Sequence, residues 1–486
     1  MSNFITRIKR IRTDELIYAL SDISIKMHKD NMSCTTTFPL WVRQHGIYRK
    51  VDILLPAWDI PSIEYYSVLN SSDHRDGDSV KSLPEIINLY RGYEDSLSSN
   101  QIKENGENNI FKIMIGMTAE QFQYQNLYLM FEKLNRTYHI LIASKNYEHR
   151  NELDIDNVFK SIFNFSAEDY LVVMLMVFWL CTQHPDPLGA PEKIYRRKES
   201  TVFTKENITK FVHYYSCTYE ELRNSALKRQ LLYSRPFIHT KRTNSYLASN
   251  VYMVGFLLGN GLYWLCREYY KDDGQKFPNA FGNLFEDYIK ELATTYCNNG
   301  EWQIIPKNKN KGADYIFTFD SLQIIVESKS SLLDLDARQQ IPNLESTIKF
   351  FDKTIKKSYV QLNSSYKIYK DKVKIPTIKV ILLYDEFSNT AIIEQGVPEI
   401  FQNDTHCFIM TIRQLEVLLY LRKNDIEKFN LVIGKIIEAT SPNSEAMNFD
   451  AIFDNLSIYQ NPHINDKLDY IKPILQHFAV NFYDEK

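Results

Sequence analysis

Residues 312–330 read GADYIFTFDSLQIIVESKS, and this stretch decides how the second half of the chain folds. β-Branched and aromatic residues dominate two runs on either side of Asp320-Ser321, the pattern of two strands joined by a tight turn. Counting outward from the turn pairs Phe319 with Leu322, Phe317 with Ile324, Tyr315 with Val326 and Asp314 with Glu327. Side chains alternate with period two, so Lys329 projects on the same side as Glu327, and Ser328 points the other way with Tyr315, Phe317, Ile324 and Val326. Two carboxylates and an amine thus end a strand pair otherwise built for burial. Like charges directly opposite each other are unfavourable unless something positive lies between them, and a divalent cation meets that need. Magnesium takes hard oxygen ligands, keeps several waters and accepts one or two carboxylates from a protein. A lysine beside it can position the attacking water and offset charge building on a phosphate. Asp314, Glu327 and Lys329 are therefore a sufficient set for phosphodiester hydrolysis with Mg2+, or Mn2+ in its place. The competing reading leaves Asp314 as a strand cap and Glu327 and Lys329 as a surface ion pair.

An acidic residue entering one strand of a hairpin, followed by acidic-x-Lys at the end of the next, resembles the motif of the PD-(D/E)xK, or restriction-endonuclease-like, nuclease superfamily. Glu-x-Lys occurs once in the chain, at Glu327-Ser328-Lys329, where a hydrophobic strand ends. Members often carry a further Glu on the preceding helix, and GNLFEDYIKELATTY (282–296) supplies Glu286 in a matching context. The resemblance covers residues 278–422. It implies that Asp314 and Glu327 hold the metal, that Lys329 serves the nucleophilic water and that Glu286 completes or supports the site.

Downstream, NLESTIKFFDKTIKKSYVQLNSSYKIYK (343–370) places apolar residues at 348, 351, 355, 359, 362, 366 and 369, which predicts a long helix with one buried stripe. Lys353 and Lys357 point away from that stripe, where they either approach a nucleic-acid backbone or solvate the helix. Some family branches place a Gln on such a helix with a Tyr four residues later. Here Gln361 is followed by Tyr366, five residues on, so this nucleic-acid-binding candidate departs from the pattern. IKVILLYDE (378–386) reads as a core strand, and HCFIMTIRQLEVLLYLRK (406–423) as a strand passing into a helix. These runs suit a central mixed β-sheet flanked by helices, and the fold class is α/β (α+β).

Upstream, LWVRQHGIYRKVDILLP (40–56) reads as a hairpin turning near Gly46, NIFKIMIGM (109–117) as a buried strand, and the polar stretch 71–109 as long loops. Thr118-Ala-Glu-Gln121 has capping-box spacing and opens a helix to about 135; Ser166-Ala-Glu-Asp169 and Thr218-Tyr-Glu-Glu221 do the same for helices ending near Cys181 and Lys228. The last of these, with the helix at 206–215, could form a helix-turn-helix whose neighbours Lys228, Arg229, Arg235, Lys241 and Arg242 would meet phosphates; ordinary helix packing accounts for the same pattern. NVYMVGFLLGNGLYWLCREYY (250–270) reads as a buried helix, and KDDGQKFPN (271–279) marks a boundary. The expected organisation is a mixed region at 1–160 for recognition or regulation, a mainly helical region at 161–275, a nuclease-like domain at 276–425 and a helical accessory segment at 426–486.

Composition narrows the function classes. Of 486 residues, 44% are hydrophobic and 24% charged, as in a globular protein, and the longest apolar run, Tyr170–Cys181, is too short for a membrane span. No secretion signal or cysteine-pair motif is present, which points to reduced thiols in a cytoplasm. The net charge is −3, yet residues 301–379 hold 14 Lys and Arg against 9 Asp and Glu, a local +5 that leaves −8 elsewhere, so a phosphate-seeking surface would be local. No GxxxxGK[ST] loop is present, so no built-in NTP motor is expected. The expected function is a Mg2+-dependent DNA endonuclease of a prokaryotic restriction or antiviral defence system, the last clause resting on domain layout alone. A homodimer and an activating partner protein are compatible with that role, and no membrane is involved. The alternatives are a catalytically silent nucleic-acid-binding or scaffolding protein and an RNA-directed nuclease.

Overall fold

A computed structural model describes residues 3–30, 33–44, 47–71, 77–80, 82–105, 110–125, 127–189, 202–306, 312–339, 342–441 and 447–476. The chain divides into two units: one of Met1–Glu107, Glu120–Thr137 and Asp154–Glu268, the other of Asn108–Ala119, Tyr138–Leu153 and Tyr269–Lys486. The fold is mixed α/β, with a mixed five-stranded sheet in the second unit and two smaller sheets in the first.

The first unit carries the hairpin read from residues 40–56: β1 (Thr35–Gln44) pairs antiparallel with β2 (Ile47–Pro56), while the turn near Gly46 lies outside the described residues. Two helices form where the sequence predicts them. Ser166 caps Ala167–Cys181 reciprocally with Asp169, and Val251–Tyr269 is buried around its glycines. At Gly259 a Cβ would come within 2.8 Å of Met130 Sδ and 3.2 Å of its Cα, so a larger residue there would have to push Met130 aside. The stretch read as loops instead contains a 23-residue helix, Leu83–Asn105, because Ile86, Ile87 and Tyr90 form a short apolar stripe that packs on Phe4. The pair read as a helix-turn-helix is separated by β3 (Ser216–Thr218), which pairs with β4 (Phe237–Thr240) and through it β5 (Ser245–Ala248). Thr218 and Glu221 form the predicted capping box, but the helix ends at Asn224.

The second unit is built on a sheet ordered β10-β9-β8-β7-β6. β6 (Trp302–Ile304), β7 (Tyr315–Thr318) and β8 (Gln323–Lys329) run antiparallel in sequence; β9 (Thr377–Leu383) and β10 (Cys407–Thr411) lie parallel to β8. The β8–β9 crossover is one continuous helical run, Leu344–Phe350, a π-helical Phe351–Lys356 and Lys357–Tyr369. Its Phe351, Ile355 and Leu362 cover a sheet face made by Ile316, Ile325, Ile381, Leu383 and Ile409. The other face meets the helix Lys276–Tyr296, where Phe281 and Phe285 pack edge-on against Tyr384. With both faces covered, every residue of β9 is buried, as a parallel strand inside a sheet requires.

Residues 110–117, read as part of a buried strand, are not one; Asn109 lies outside the described residues. The helix Ile110–Gln125 begins there, Ile115 and Ala119 join the sheet's core, and Thr118 is no cap: its hydroxyl donates back to the Ile115 carbonyl in mid-helix. A short apolar run fits either period, and here the helix wins through its length. Residues 450–463 are bound into the same unit. Asp450 accepts hydrogen bonds from Thr390 and Gln414, and Asn461 and His463 close a buried network with Glu416, Tyr288 and Tyr296. Among the described residues, no single helix is long and apolar enough to cross a membrane. All six cysteines are free thiols.

Candidate active site

The ladder between β7 and β8 has the register counted from the turn: Tyr315 faces Val326, Phe317 faces Ile324, and the Phe319 N–H donates to the Leu322 carbonyl. Alternation along such a ladder makes Tyr315 and Val326 a hydrogen-bonded pair and would turn the Asp314 N–H away from β8. Instead that N–H donates to the Val326 carbonyl at 2.9 Å, so the strand kinks at Asp314. Two anchors hold the kink. The Ala313 N–H donates to Ser365 Oγ at 2.8 Å, and the Asp314 carbonyl accepts from the Ile305 N–H at 2.9 Å. As a result the Asp314 carboxylate reaches Ser328: its Oδ2 accepts from the Ser328 N–H and from the Ser328 hydroxyl, both at 2.8 Å. Alternation puts Ser328 on the face opposite Glu327, so the Asp314 carboxylate turns to Ser328 instead of standing directly across from Glu327 as the count from the turn expects.

Glu327 and Lys329 come together as the alternation requires. Lys329 Nζ lies 2.5 Å from Glu327 Oε1, with side-chain exposures of 20% and 2%. Both sit on the sheet face covered by the crossover helix, at the carboxyl end of β8, where β9 continues into Tyr384, whose N–H donates to the Lys329 carbonyl. A carboxylate buried to this degree is costly unless a cation stands beside it, and the Lys329 ammonium fills that role.

Glu286 is half-buried on Lys276–Tyr296. Two contacts bring its turn of helix to the same end of the hairpin: the Tyr315 hydroxyl donates to the Glu286 carbonyl at 3.2 Å, and a Cβ on Gly282, one turn earlier, would lie 3.4 Å from Ser330 Oγ. Burial, and then the charges of Glu286, Asp314 and Asp287, push the Tyr315 hydroxyl well above its ordinary range.

The neighbouring Asp287 belongs to a cluster that no spacing announces. It accepts from the His149 N–H at 3.1 Å and pairs with His149 Nδ1 at 2.9 Å and with Lys290 at 3.0 Å. Burial alone would raise its carboxyl, but these partners outweigh burial and hold it below the ordinary range. Ligand atoms of Glu148, His149 and Asp287 lie within 4.8 Å of one another, which would suit a metal, yet Lys290 already supplies a cation between the two acids. Sequence reasoning also misses Arg338 and Asp385. This fully buried ion pair, completed by Leu333 N–H donating to Asp385 and Arg338 Nε donating to the Leu333 carbonyl, ties the loop after β8 to the loop after β9. The one sequence signal is Asp385-Glu386 directly after an apolar strand.

On the crossover helix, Lys353 and Lys357 are exposed and Gln361 is half-buried. No family model, curated protein or solved structure matches this chain.

Proposed function

We propose that this chain is a Mg2+-dependent nuclease of the restriction-endonuclease-like type, acting as a DNA endonuclease in a prokaryotic restriction or antiviral defence system in the cytoplasm. One observation carries the reading: a buried glutamate held 2.5 Å from a partly exposed lysine at the carboxyl end of β8, with an aspartate at the entry to the neighbouring strand β7 bonded to the serine between them. A helix bearing Glu286 before an antiparallel hairpin, then a crossover helix and a parallel strand, supports the mixed sheet the motif implies. Ligands outside the carboxyl ends of parallel strands are the rule in such sheets.

Asp314, Glu327 and Glu286 offer the carboxylate oxygens a hard cation takes, but among the described residues the ligand atoms that lie within 4.8 Å of one another are those of Glu148, His149 and Asp287, so these three would have to draw together around the ion. When bound, Mg2+ would neutralise charge on the scissile phosphate and acidify a water. The chain's own residues supply the rest. Ser328 fixes the Asp314 carboxylate through Oδ2, and Glu327 holds the Lys329 ammonium at the strand end, where it can donate to the attacking water or to a phosphate oxygen. Two strands need two cuts, so a homodimer or an activating partner protein suits a duplex substrate.

A second reading, a catalytically silent nucleic-acid-binding protein, draws on the Asp314–Ser328 contacts, which are also what a strand cap would make. Incubating plasmid DNA, linear DNA and RNA with the protein, with and without Mg2+, separates the two. Metal-dependent cutting that disappears in Lys329→Ala and Asp314→Ala supports the nuclease. Cutting that persists unchanged in both variants removes the site assignment.

A further inference from the structure

We propose that Ser328 is the positioning residue of the cation site: it occupies one oxygen of Asp314, leaves the other as the ligand, and so favours Mg2+ over Ca2+. Asp314 stands where β7 leaves the ladder, and the backbone there is pinned by the bonds to Val326, Ile305 and Ser365. Its side chain is pinned as well. Oδ2 accepts from the Ser328 N–H and from the Ser328 hydroxyl, both at 2.8 Å, and a carboxylate oxygen has two lone-pair sites, so both are taken. Oδ1 accepts no hydrogen bond among the described residues. The Lys329 ammonium is paired with Glu327 and the side chain of Asp314 is half-buried, so Oδ1 is the oxygen left to meet a cation. Ser328 itself stands inside the sheet, opposite Leu382 of β9, which fixes the point from which it holds the carboxylate.

One available oxygen selects among hard cations. Mg2+ demands a compact octahedron and keeps several of its waters, so a single oxygen from each carboxylate serves it. Ca2+ gathers more oxygens at longer range and often takes both from one carboxylate. With Oδ2 committed to Ser328, Asp314 has no second oxygen to give, and that loss falls on Ca2+. Every residue but proline would supply the N–H at this position; the hydroxyl is what serine adds. The proposal rests on the reading of Asp314 as a cation ligand and goes beyond it in naming the residue that orients the ligand and selects the ion.

The test is calorimetric titration of Mg2+ and, separately, of Ca2+ into the full chain without nucleic acid, for the unaltered protein, Ser328→Ala, Ser328→Thr and Asp314→Asn. Ser328→Ala should weaken Mg2+ binding by about tenfold or more and Ca2+ binding by less, so that the ratio of the two affinities moves toward Ca2+. Ser328→Thr keeps the hydroxyl on a residue that suits a strand, and should keep both the Mg2+ affinity and the ratio. Both ions are read on one preparation, so a variant that folds only in part still reports the ratio. Three results overturn the proposal: unchanged Mg2+ affinity in Ser328→Ala, both ions weakened alike, as a merely structural bond would give, or tighter Mg2+ binding, which would mean that Ser328 holds Asp314 away from the ion. Any of these beside binding lost in Asp314→Asn leaves the cation site and the nuclease reading standing. Binding in Asp314→Asn equal to that of the unaltered protein, or no binding by the unaltered protein, removes Asp314 as a ligand and this proposal with it.

Discussion

Two lysine–carboxylate pairs face the same side of the five-stranded sheet, and they differ in what surrounds them. Lys379 stands beside Ile325 in register, two residues before Glu327 on the neighbouring strand. Its ammonium pairs with Asp404, donates to Asn363 and lies 5.1 and 4.9 Å from the rings of Tyr359 and Tyr366, with only 4% of the side chain exposed. Lys329 pairs with Glu327 at the strand's end and keeps 20% of its side chain exposed. The same residue types therefore serve two ends: one is closed over by aromatic and polar neighbours and holds the sheet to its crossover helix, and the other opens at the carboxyl end of the parallel strands. A lysine–acid pair becomes a candidate for chemistry through where it stands and what can still reach it.

The largest expected difference is in catalysis. Lys329→Ala should lower Mg2+-dependent cutting by about 10²- to 10⁴-fold, whereas the folded fraction of Lys379→Ala should keep its specific activity; a nicking assay on plasmid measures both. Stability should reverse that order. Removing Lys379 takes the cation from the Asp404 carboxylate and leaves it the Tyr359 hydroxyl and the His406 N–H, so Lys379→Ala should cost about 3 kcal/mol in denaturant unfolding and Lys329→Ala less, because water can enter at the more open end.

A third carboxylate sharpens the comparison by having no cation among its hydrogen bonds. Burial pushes the Glu394 carboxyl up to about 8 from 4.5, against the Ile409 N–H it accepts. The folded chain then binds a proton that the unfolded chain has released. Its contribution is fully present below about pH 4.5 and is lost as pH rises through about 8. Stability should fall on that rise by up to about 1.4 kcal/mol per pH unit, and Glu394→Gln should flatten the slope in denaturant midpoints measured from pH 5.5 to 8. The smallest effect belongs to the exposed Lys353 and Lys357. Replacing either by Ala should leave stability within about 0.5 kcal/mol and, where the lysine meets a phosphate, lower the salt slope of DNA binding by about 1.

The hairpin was legible in the sequence because a two-residue turn and strict alternation leave a single count, and Glu327 and Lys329 meet as that count demands. The kink at Asp314 was not, since it is set by Ile305 and by Ser365, which comes from a helix some fifty residues away. The same limit hid the pairs His149–Asp287 and Arg338–Asp385, whose partners only folding brings together. Local misreadings had a different cause. Ile110–Gln125 begins with an apolar run too short to reveal its period, and Leu83–Asn105 keeps its buried positions to its first turns, so its polar remainder reads as loop.

The central claim is that Asp314 and Glu327 hold a hard divalent cation, and calorimetric titration of Mg2+ and Mn2+ into the protein without nucleic acid tests it most directly. Saturable binding that weakens about tenfold or more in Asp314→Asn and in Glu327→Gln, and is unchanged in His149→Ala, is the predicted result. Identical isotherms for the unaltered protein and both carboxamide variants, or binding lost only in His149→Ala, would contradict it.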